Sequence, residues 1–444
     1  MIRYRAQFVV PVASPPITDG IVAVDSGRIA YVGPRDGHEP TADVVDLGDT
    51  LLLPGLINAH CHLELTAMRG FLEDLDFRTW ILRLTNSKRA VLSREMLLDA
   101  ARYGIAEGLR HGITTYADTC DSGVSFDAMR ECGVRGIMYQ EVFGPDPAQC
   151  GASLAELREK VNRMRPLETP LVRIGVSPHA PYTVSDSLFS AVAQYASNES
   201  LPIAIHIAES QIEYDLVASG SGPLADGLRA RKIDVASRAR TPIELMQSLG
   251  VLAARPLLIH CVHVDDSDIA QIAASRCGVA HCPASNAKLG HGVAPLGAIL
   301  SAGIPAGVGS DSVASNNRMD LLEEARLAAL LQRAWRGDLR EVSAHSALTL
   351  ATLGGAQALG IANDVGSLEV GKSADLAAFP LADVGPVHEP ETAAVFALPG
   401  TPASFVAVAG EILVRDGELL KKDLALEKRV QESANALERW MRIT

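Results

Sequence analysis

Two features of this 444-residue sequence assign it to the α/β class. Over its middle, eight short apolar runs alternate with helix-like stretches, whereas both ends are filled by short strands with glycine turns. The alternation predicts a parallel (β/α)8 TIM-like barrel, and the ends predict a small β-sandwich domain built from both termini. The expected parts are residues 1–54 for the N-terminal part of the sandwich, 55–364 for the barrel, and 365–444 for the rest of the sandwich with a closing helix.

At the N-terminal end, "IVAVDSGRIAYVGP" holds two β-rich runs joined by Asp-Ser-Gly-Arg, a hairpin signal with glycine in the turn. "VVDLGDTLLLPG" adds further strand. The barrel runs then begin with "LLLPGLINAHCH". They continue with "GITTYADT" (112–119), "VRGIMYQEV" (134–142), "VRIGVSPHAP" (172–181) and "LPIAIHIAE" (201–209). "RPLLIHCVHV" (255–264), "GVAHCPAS" (278–285) and "GIPAGVGSDS" (303–312) complete the eight. Stretches such as "SREMLLDAARYGIAEGLRHG" and "SDSLFSAVAQYASNES" read as the intervening helices, the second capped by Ser185. Residues 210–240 break the rhythm and read as a long loop or small insertion over one end of the barrel. Strand texture returns in "GSLEVGKSADLAAF" and "SFVAVAGEILVRDGELL", and "DLALEKRVQESANALERWM" reads as an amphipathic closing helix. A doubly wound open sheet is the alternative, but no Gly-x-Gly-x-x-Gly fingerprint follows an early strand.

Composition narrows the function. Hydrophobic residues make up 48 % of the chain and charged residues 21 %, as expected of a globular protein with a large core. A formal net charge of −13 argues against nucleic acid or an anionic membrane as partner. No apolar stretch is long enough to span a bilayer, and Pro11 interrupts the short N-terminal apolar patch, so neither an anchor nor a signal peptide is expected. Seven scattered cysteines, an odd number, fit reduced thiols in a cytoplasm better than a disulfide framework.

The polar residues cluster at the ends of the predicted strands. His60 and His62 end the first, His179 the fourth, His206 and Glu209 the fifth, His260 and His263 the sixth, and Asp311 the eighth. In a barrel these ends form one face, which carries the active site. Alternate residues of a strand point the same way, so His60 and His62 can serve one ion together. Three neutral imidazoles and a carboxylate, from His60, His62, His206 and Asp311, suit one divalent transition ion, zinc or iron. Such an ion lowers the pKa of bound water towards neutrality. Glu209 beside it can carry a proton to a substrate, and His260 can orient the water or stabilise developing negative charge. His263 reads as a satisfied structural histidine. Cys61 should point away from the ion and, like Cys261, fill space rather than act as a nucleophile. No Gly-x-Ser-x-Gly elbow is present.

The ordered segments "PGLINAHCH", "SPHAPY", "HIAE", "IHCVH", "CPASNAKLGHG" and "GSDSVASNN" resemble the amidohydrolase superfamily, in particular its cytosine-deaminase-like branch. That branch includes S-adenosylhomocysteine/methylthioadenosine deaminases, guanine deaminases and triazine hydrolases. The resemblance spans nearly the whole chain. It implies His60, His62, His206 and Asp311 as ligands of a single catalytic metal, since the fourth strand offers no lysine near "GVSPHAP" to bridge a second ion. It further implies Asp311 as base, Glu209 as proton-shuttling acid, His260 at the reaction centre and His179 as a substrate contact. The implied reaction is hydrolytic deamination of an amino-substituted N-heterocycle such as a purine, pterin, triazine or aminodeoxyfutalosine-like compound.

The sequence departs from the family pattern in one informative place. Nucleoside-acting relatives carry a glutamate for ribose hydroxyls shortly after the tryptophan of the first long loop. Here Trp80 is followed by "ILRLTNSKRAVLS", without an acid and with Lys88 and Arg89. That pair reads either as a solvated helix face or as a device favouring a substrate bearing a carboxylate, and the second reading makes Trp80 and Arg89 candidate substrate contacts. Glu64 is expected either to be structural or to orient a ligand histidine from behind. Two other readings stay open: hydrolysis of a different bond on the same scaffold, by triazine dechlorination or cyclic amide opening, and a non-catalytic binding protein. The family often forms homodimers, but the apolar stripe of "RMDLLEEARLAALLQRAW" reads first as packing against the barrel.

Overall fold

A computed structural model describes residues 1–35 and 44–443, so residues 36–43 of the expected N-terminal part lie outside the described residues. The N-terminal strands are β1 (Ile2–Val9), β2 (Ile17–Asp25), β3 (Arg28–Pro34), β4 (Val44–Asp46) and β5 (Thr50–Pro54). The predicted hairpin is β2–β3. Its two-residue turn, Ser26–Gly27, has φ of 49° and 77°, the positive pair that matches the right-handed twist of the flanking strands.

Eight strands follow, each separated from the next by at least one helix. They are β6 (Leu56–Cys61), β7 (Ile113–Cys120), β8 (Arg135–Val142), β9 (Val172–Pro178), β10 (Ala204–Ile207), β11 (Leu257–His260), β12 (Gly278–His281) and β13 (Ala306–Val308). All pair in parallel, in two four-stranded sheets of order β6-β7-β8-β9 and β10-β11-β12-β13. A parallel bridge between Val176 and Ile203 links one edge of each sheet, and a second between Cys61 and Asp311 links the other edges. An inner apolar cluster draws Ile57, Ala59, Ala117, Ile137, Ile259 and Ala280 from five of these strands. Buried strands of this kind read as near-continuous apolar runs, which is why the sequence located them.

The last strands are β14 (Leu376–Pro380), β15 (Phe405–Val408), β16 (Glu411–Arg415) and β17 (Glu418–Leu419). Strands from both ends of the chain join in one continuous nine-stranded sheet, ordered β17-β16-β15-β14-β5-β1-β2-β3 with β4 beside β1. The junction is the antiparallel pair β5–β14, with Leu53 opposite Ala377. Arg135 at the start of β8 ties this end to the parallel strands. Its guanidinium makes a fork on Asp375 (2.9 and 3.1 Å) and also reaches Asp364 (2.9 Å) and Ser373 (2.7 Å).

One expectation needs correction. Ser185 occupies the cap position of the helix Asp186–Glu199, but its hydroxyl turns to Ser187 instead of a backbone N–H. The 210–240 segment takes the form of a small insertion, not a long loop: it forms helices Gln211–Ser219 and Gly222–Ala230, followed by the irregular residues 231–240. The closing helix is Leu426–Met441. It sets Leu426 and Val430 against Ala67 and Ala100, and Arg429 forks onto Asp99 at 2.7 and 3.0 Å. The helix Leu321–Arg336 buries one face and leaves Leu330 and Trp335 exposed. All seven cysteines are unpaired, and burial pushes the thiols of Cys61 and Cys261 up, which removes nucleophilic character. Among the described residues no helix is long and apolar enough to cross a membrane.

Candidate metal centre

The C-terminal ends of the parallel strands bring the predicted residues together. The β6–β7 ladder shifts register between Asn58 and Cys61. Such a bulge re-aims side chains, and His60 and His62 here turn towards one centre, their rings 4.9 Å apart. Asp311 arrives from the loop after β13, where its backbone N–H donates to the His60 carbonyl at 3.0 Å. Gly309 permits this approach, because a Cβ there would stand 2.7 Å from the His60 oxygen. Several strand ends are left-handed at non-glycine residues: Ala208 (φ 51°), His260 (79°), Cys261 (47°) and Asp311 (54°). Backbone of that kind is costly and collects at functional sites.

Four donor atoms converge. His60 Nε2 lies 3.3 Å from Asp311 Oδ1, His62 Nε2 lies 3.6 Å from the same oxygen, and His62 Nε2 lies 3.3 Å from His206 Nε2. Ligands bonded to zinc at about 2.0–2.1 Å stand roughly 3.4 Å apart in a tetrahedron, so all three separations match its edges. The protonation states also fit. Burial drives His60 and His206 down and takes His62 to about 3, leaving neutral imidazoles with free lone pairs. Burial would raise Asp311, but its close attraction to His60, with His260 and His62, holds it far below the usual carboxylate range. The second nitrogen of His62 donates to the Thr119 carbonyl at 3.0 Å, which fixes Nε2 as the free nitrogen. Both nitrogens of His60, and His206 Nδ1, are buried without a hydrogen-bond partner. Two imidazole nitrogens facing each other at 3.3 Å, and orphaned atoms beside them, are costly unless a cation is shared.

Glu209 lies next to this group. Its Oε1 is 3.5 Å from His260 Nε2 and 3.4 Å from His291 Nε2. Burial would raise Glu209, but these two histidines outweigh it and hold the carboxyl below its ordinary value. Asn286 Oδ1 accepts from His260 Nδ1 at 2.9 Å and so turns Nε2 inward. The backbone N–H groups of Ala208 and Glu209 donate to the two oxygens of buried Glu213, at 2.8 and 2.9 Å, which anchors the turn that presents Glu209. His179 stacks on His206 with centroids 4.7 Å apart, and its Nδ1 meets Thr183 Oγ1 at 2.8 Å.

An aromatic wall flanks the centre. Phe77 meets His291 edge-on at 4.7 Å, stacks on Trp80 at 6.2 Å and also touches Tyr182, which in turn leans on His179. Trp80 is buried, and its indole N–H has no partner. Arg89 is exposed on the helix Phe77–Val91. Lys88 does not act as a free cation. It pairs with buried Glu64, which also accepts from Ser122 and from Cys120. Glu64 therefore neutralises Lys88, which favours the structural of its two expected roles, and among the described residues no hydrogen bond joins it to a histidine. His263 is not fully satisfied, because its Nε2 is buried without a partner.

Sequence reasoning passed over Ser285, Ser315, Asn286, His291, Thr119 and Glu213. Four of them stood in quoted motifs: Ser285, Asn286 and His291 in "CPASNAKLGHG", and Ser315 in "GSDSVASNN". Ser285 and Ser315 donate to Asp311 Oδ2 at 2.5 and 3.3 Å, leaving Oδ1 towards the histidines.

The chain is also similar to known proteins. A model described as "Amidohydrolase family" matches residues 51–413. A 5-methylthioadenosine/S-adenosylhomocysteine deaminase of Moorella thermoacetica is 34 % identical over 94 % of this chain and 94 % of its own length. Among solved structures, an adenosine deaminase from Xanthomonas campestris with bound zinc superposes with a TM-score of 0.87 at 29 % identity, covering 99 % of this chain and 98 % of that one. A zinc-complexed atrazine chlorohydrolase from Arthrobacter aurescens TC1 gives 0.83 at 26 % identity, covering 98 % and 100 %.

Proposed function

The chain belongs to the amidohydrolase family, and from that membership we propose that it is a metal-dependent hydrolytic deaminase of an amino-substituted N-heterocycle. The observation that carries the reading is the convergence of His60, His62, His206 and Asp311 with Glu209 and His260 beside them. The relatives' names favour a 6-aminopurine nucleoside derivative as substrate. The carboxylate-bearing substrate suggested by Lys88 loses support, since Glu64 already neutralises that cation. We also read the two linked parallel sheets as one closed (β/α)8 barrel over residues 55–364, with 1–54 and 365–444 as the flanking β domain.

His60, His62, His206 and Asp311 would hold one divalent ion, zinc foremost. When bound, such an ion lowers the pKa of a coordinated water and supplies hydroxide near neutrality. Asp311 receives the water's proton on a carboxylate whose Oδ2 is steadied by Ser285 and Ser315. Glu209, held ionised, can deliver only a proton it has first taken up, so it works as a shuttle to the ring nitrogen beside the carbon under attack. That protonation lets the carbon become tetrahedral and ammonia depart. His260, fixed by Asn286, faces the same point and steadies charge developing there. Trp80, Phe77 and Tyr182 exclude water and offer a flat apolar wall for a planar ring.

The test is ammonia release from a panel of 5′-methylthioadenosine, S-adenosylhomocysteine, adenosine, an aminofutalosine, pterins and triazines. Release from at least one aminopurine, abolished by chelation and restored by zinc, is the expected result. Triazine dechlorination without ammonia from any compound would favour the second reading, motivated by the likeness to the chlorohydrolase.

A further inference from the structure

Glu141 takes no part in the metal centre or in the steps ascribed to it. It lies at the end of β8 as a buried acid whose Oε1 has no hydrogen-bond partner. β9 runs alongside, and the His179 N–H just beyond it donates to the Val142 carbonyl at 3.3 Å, so Glu141 and His179 ride on two rigid neighbouring strand ends. Glu141 Oε1 faces His179 Nε2 at 4.0 Å, too far for a direct hydrogen bond.

The two atoms offer complementary chemistry. Thr183 Oγ1 donates to the Ala180 carbonyl at 3.2 Å, so it accepts from His179 Nδ1, at 2.8 Å, and Nδ1 carries the ring proton. His179 Nε2 is therefore an acceptor. Burial pushes the Glu141 carboxyl well up from its ordinary value, and Lys88 opposes this only in part, so the side chain stands as a neutral acid that can donate. An oxygen about 2.8 Å from each atom would subtend roughly 90° between them, which a hydroxyl meets by donating to Nε2 and accepting from the acid.

Exposure around the centre is uneven. The side chains of His62 and His179 are 14 and 12 % exposed, whereas those of His60, His260 and His291 are 1, 1 and 4 % exposed. Phe143, two residues beyond Glu141, is 40 % exposed, and its ring lies 5.1 Å from that of His179. The centre thus opens on the Glu141 side, and the part of a substrate that does not react leaves the pocket past that acid. Building on the aminopurine reading above, we propose that Glu141, together with His179, clamps one sugar hydroxyl of the substrate and so sets the preference of the site for a nucleoside over its deoxy analogue. An analogue without that hydroxyl leaves the acid and the imidazole unpaired, and a site built to hydrogen-bond a hydroxyl rejects such a compound.

The experiment compares 5′-methylthioadenosine and adenosine with their 2′-deoxy and 3′-deoxy analogues in steady-state ammonia assays. For the wild type, loss of one of the two hydroxyls should lower kcat/KM by about ten-fold or more, mostly through KM. Glu141→Leu should fold, because it removes a buried unpaired polar group, and should treat hydroxylated and deoxy substrates alike. Glu141→Gln, which can still donate and accept, should keep most of the preference. Thr183→Val, which removes the acceptor that fixes the His179 proton, should reduce the preference and decides the matter if Glu141→Leu does not fold. A wild type indifferent to both hydroxyls overturns the clamp, as does a Glu141→Leu variant that loses the same factor on every substrate, the mark of a structural role. Absence of ammonia from every aminopurine sinks the deaminase reading instead. Calorimetric binding of the same nucleosides then decides the clamp, and equal affinity for hydroxylated and deoxy forms overturns it.

Discussion

Glu213→Gln isolates the device that aims Glu209. The two oxygens of Glu213 accept from the backbone N–H groups of Ala208 and Glu209, at 2.8 and 2.9 Å. Gln retains one acceptor oxygen, but its NH2 group cannot accept as the hydroxyl oxygen of the protonated acid still can, so one buried backbone N–H is left facing another donor. An unsatisfied buried donor costs about 1–3 kcal/mol. For 444 residues the unfolding entropy is about 0.9 kcal/mol per kelvin, so the thermal midpoint should fall by only roughly 1–3 °C. The catalytic loss should be larger than that shift suggests. Ala208 is held left-handed (φ 51°), and relaxing this turn moves the Glu209 carboxylate away from His260 and His291. A misplacement near 1 Å costs about 100-fold in rate. The expected signature in a steady-state ammonia assay is kcat down by about 10–100-fold, KM little changed and the metal retained. A kcat within two-fold of wild type, with the stability loss present, would refute the claim that Glu213 positions Glu209.

Three further outcomes follow from the same geometry. Glu209→Gln should keep its metal by elemental analysis while turnover falls by about 100- to 10,000-fold, the range for a lost proton-transfer group; retained turnover would remove Glu209 from its role. Lys88→Met should destabilise by roughly 3–5 kcal/mol in denaturant titrations, because it strands the buried Glu64 carboxylate, whereas the double variant with Glu64→Leu should recover most of that loss. Burial pushes Glu213 and Glu324 each up to about 8 from a usual 4.5. Between those values the folded chain keeps protons that the unfolded chain releases, so this stabilisation is full below pH 4.5 and is lost as pH rises through 8. Thermal midpoints measured from pH 5 to 9 should decline across that window, and Glu324→Gln should decline less steeply.

Much of this arrangement was legible in the sequence because it depends on period and position. The eight strands are buried on both faces and so appear as continuous apolar runs, and the polar residue ending each run marks one face of the molecule. The Ser26–Gly27 turn was legible for a different reason, since a tight hairpin requires positive φ. Contacts between side chains far apart in sequence were not. Glu64 sits two residues after His62, which suggested help to a ligand, yet its partner Lys88 lies 24 residues further on, in the helix Phe77–Val91. Ser285, Asn286 and Ser315 are short polar residues that would pass as helix caps or turns, and only the folded chain brings them to Asp311 and His260. Ser185 shows the converse: a good capping residue in the right position whose hydroxyl bonds elsewhere. The two helices within 210–240 were missed because serine, glycine and alanine dilute their apolar period.

The most direct test is anomalous diffraction at the zinc edge from crystals grown with one equivalent of zinc. The account predicts one strong peak about 2.0–2.2 Å from a nitrogen of each of His60, His62 and His206 and from an Asp311 oxygen. A peak elsewhere, or one from which His206 or Asp311 stands outside bonding distance, would contradict it.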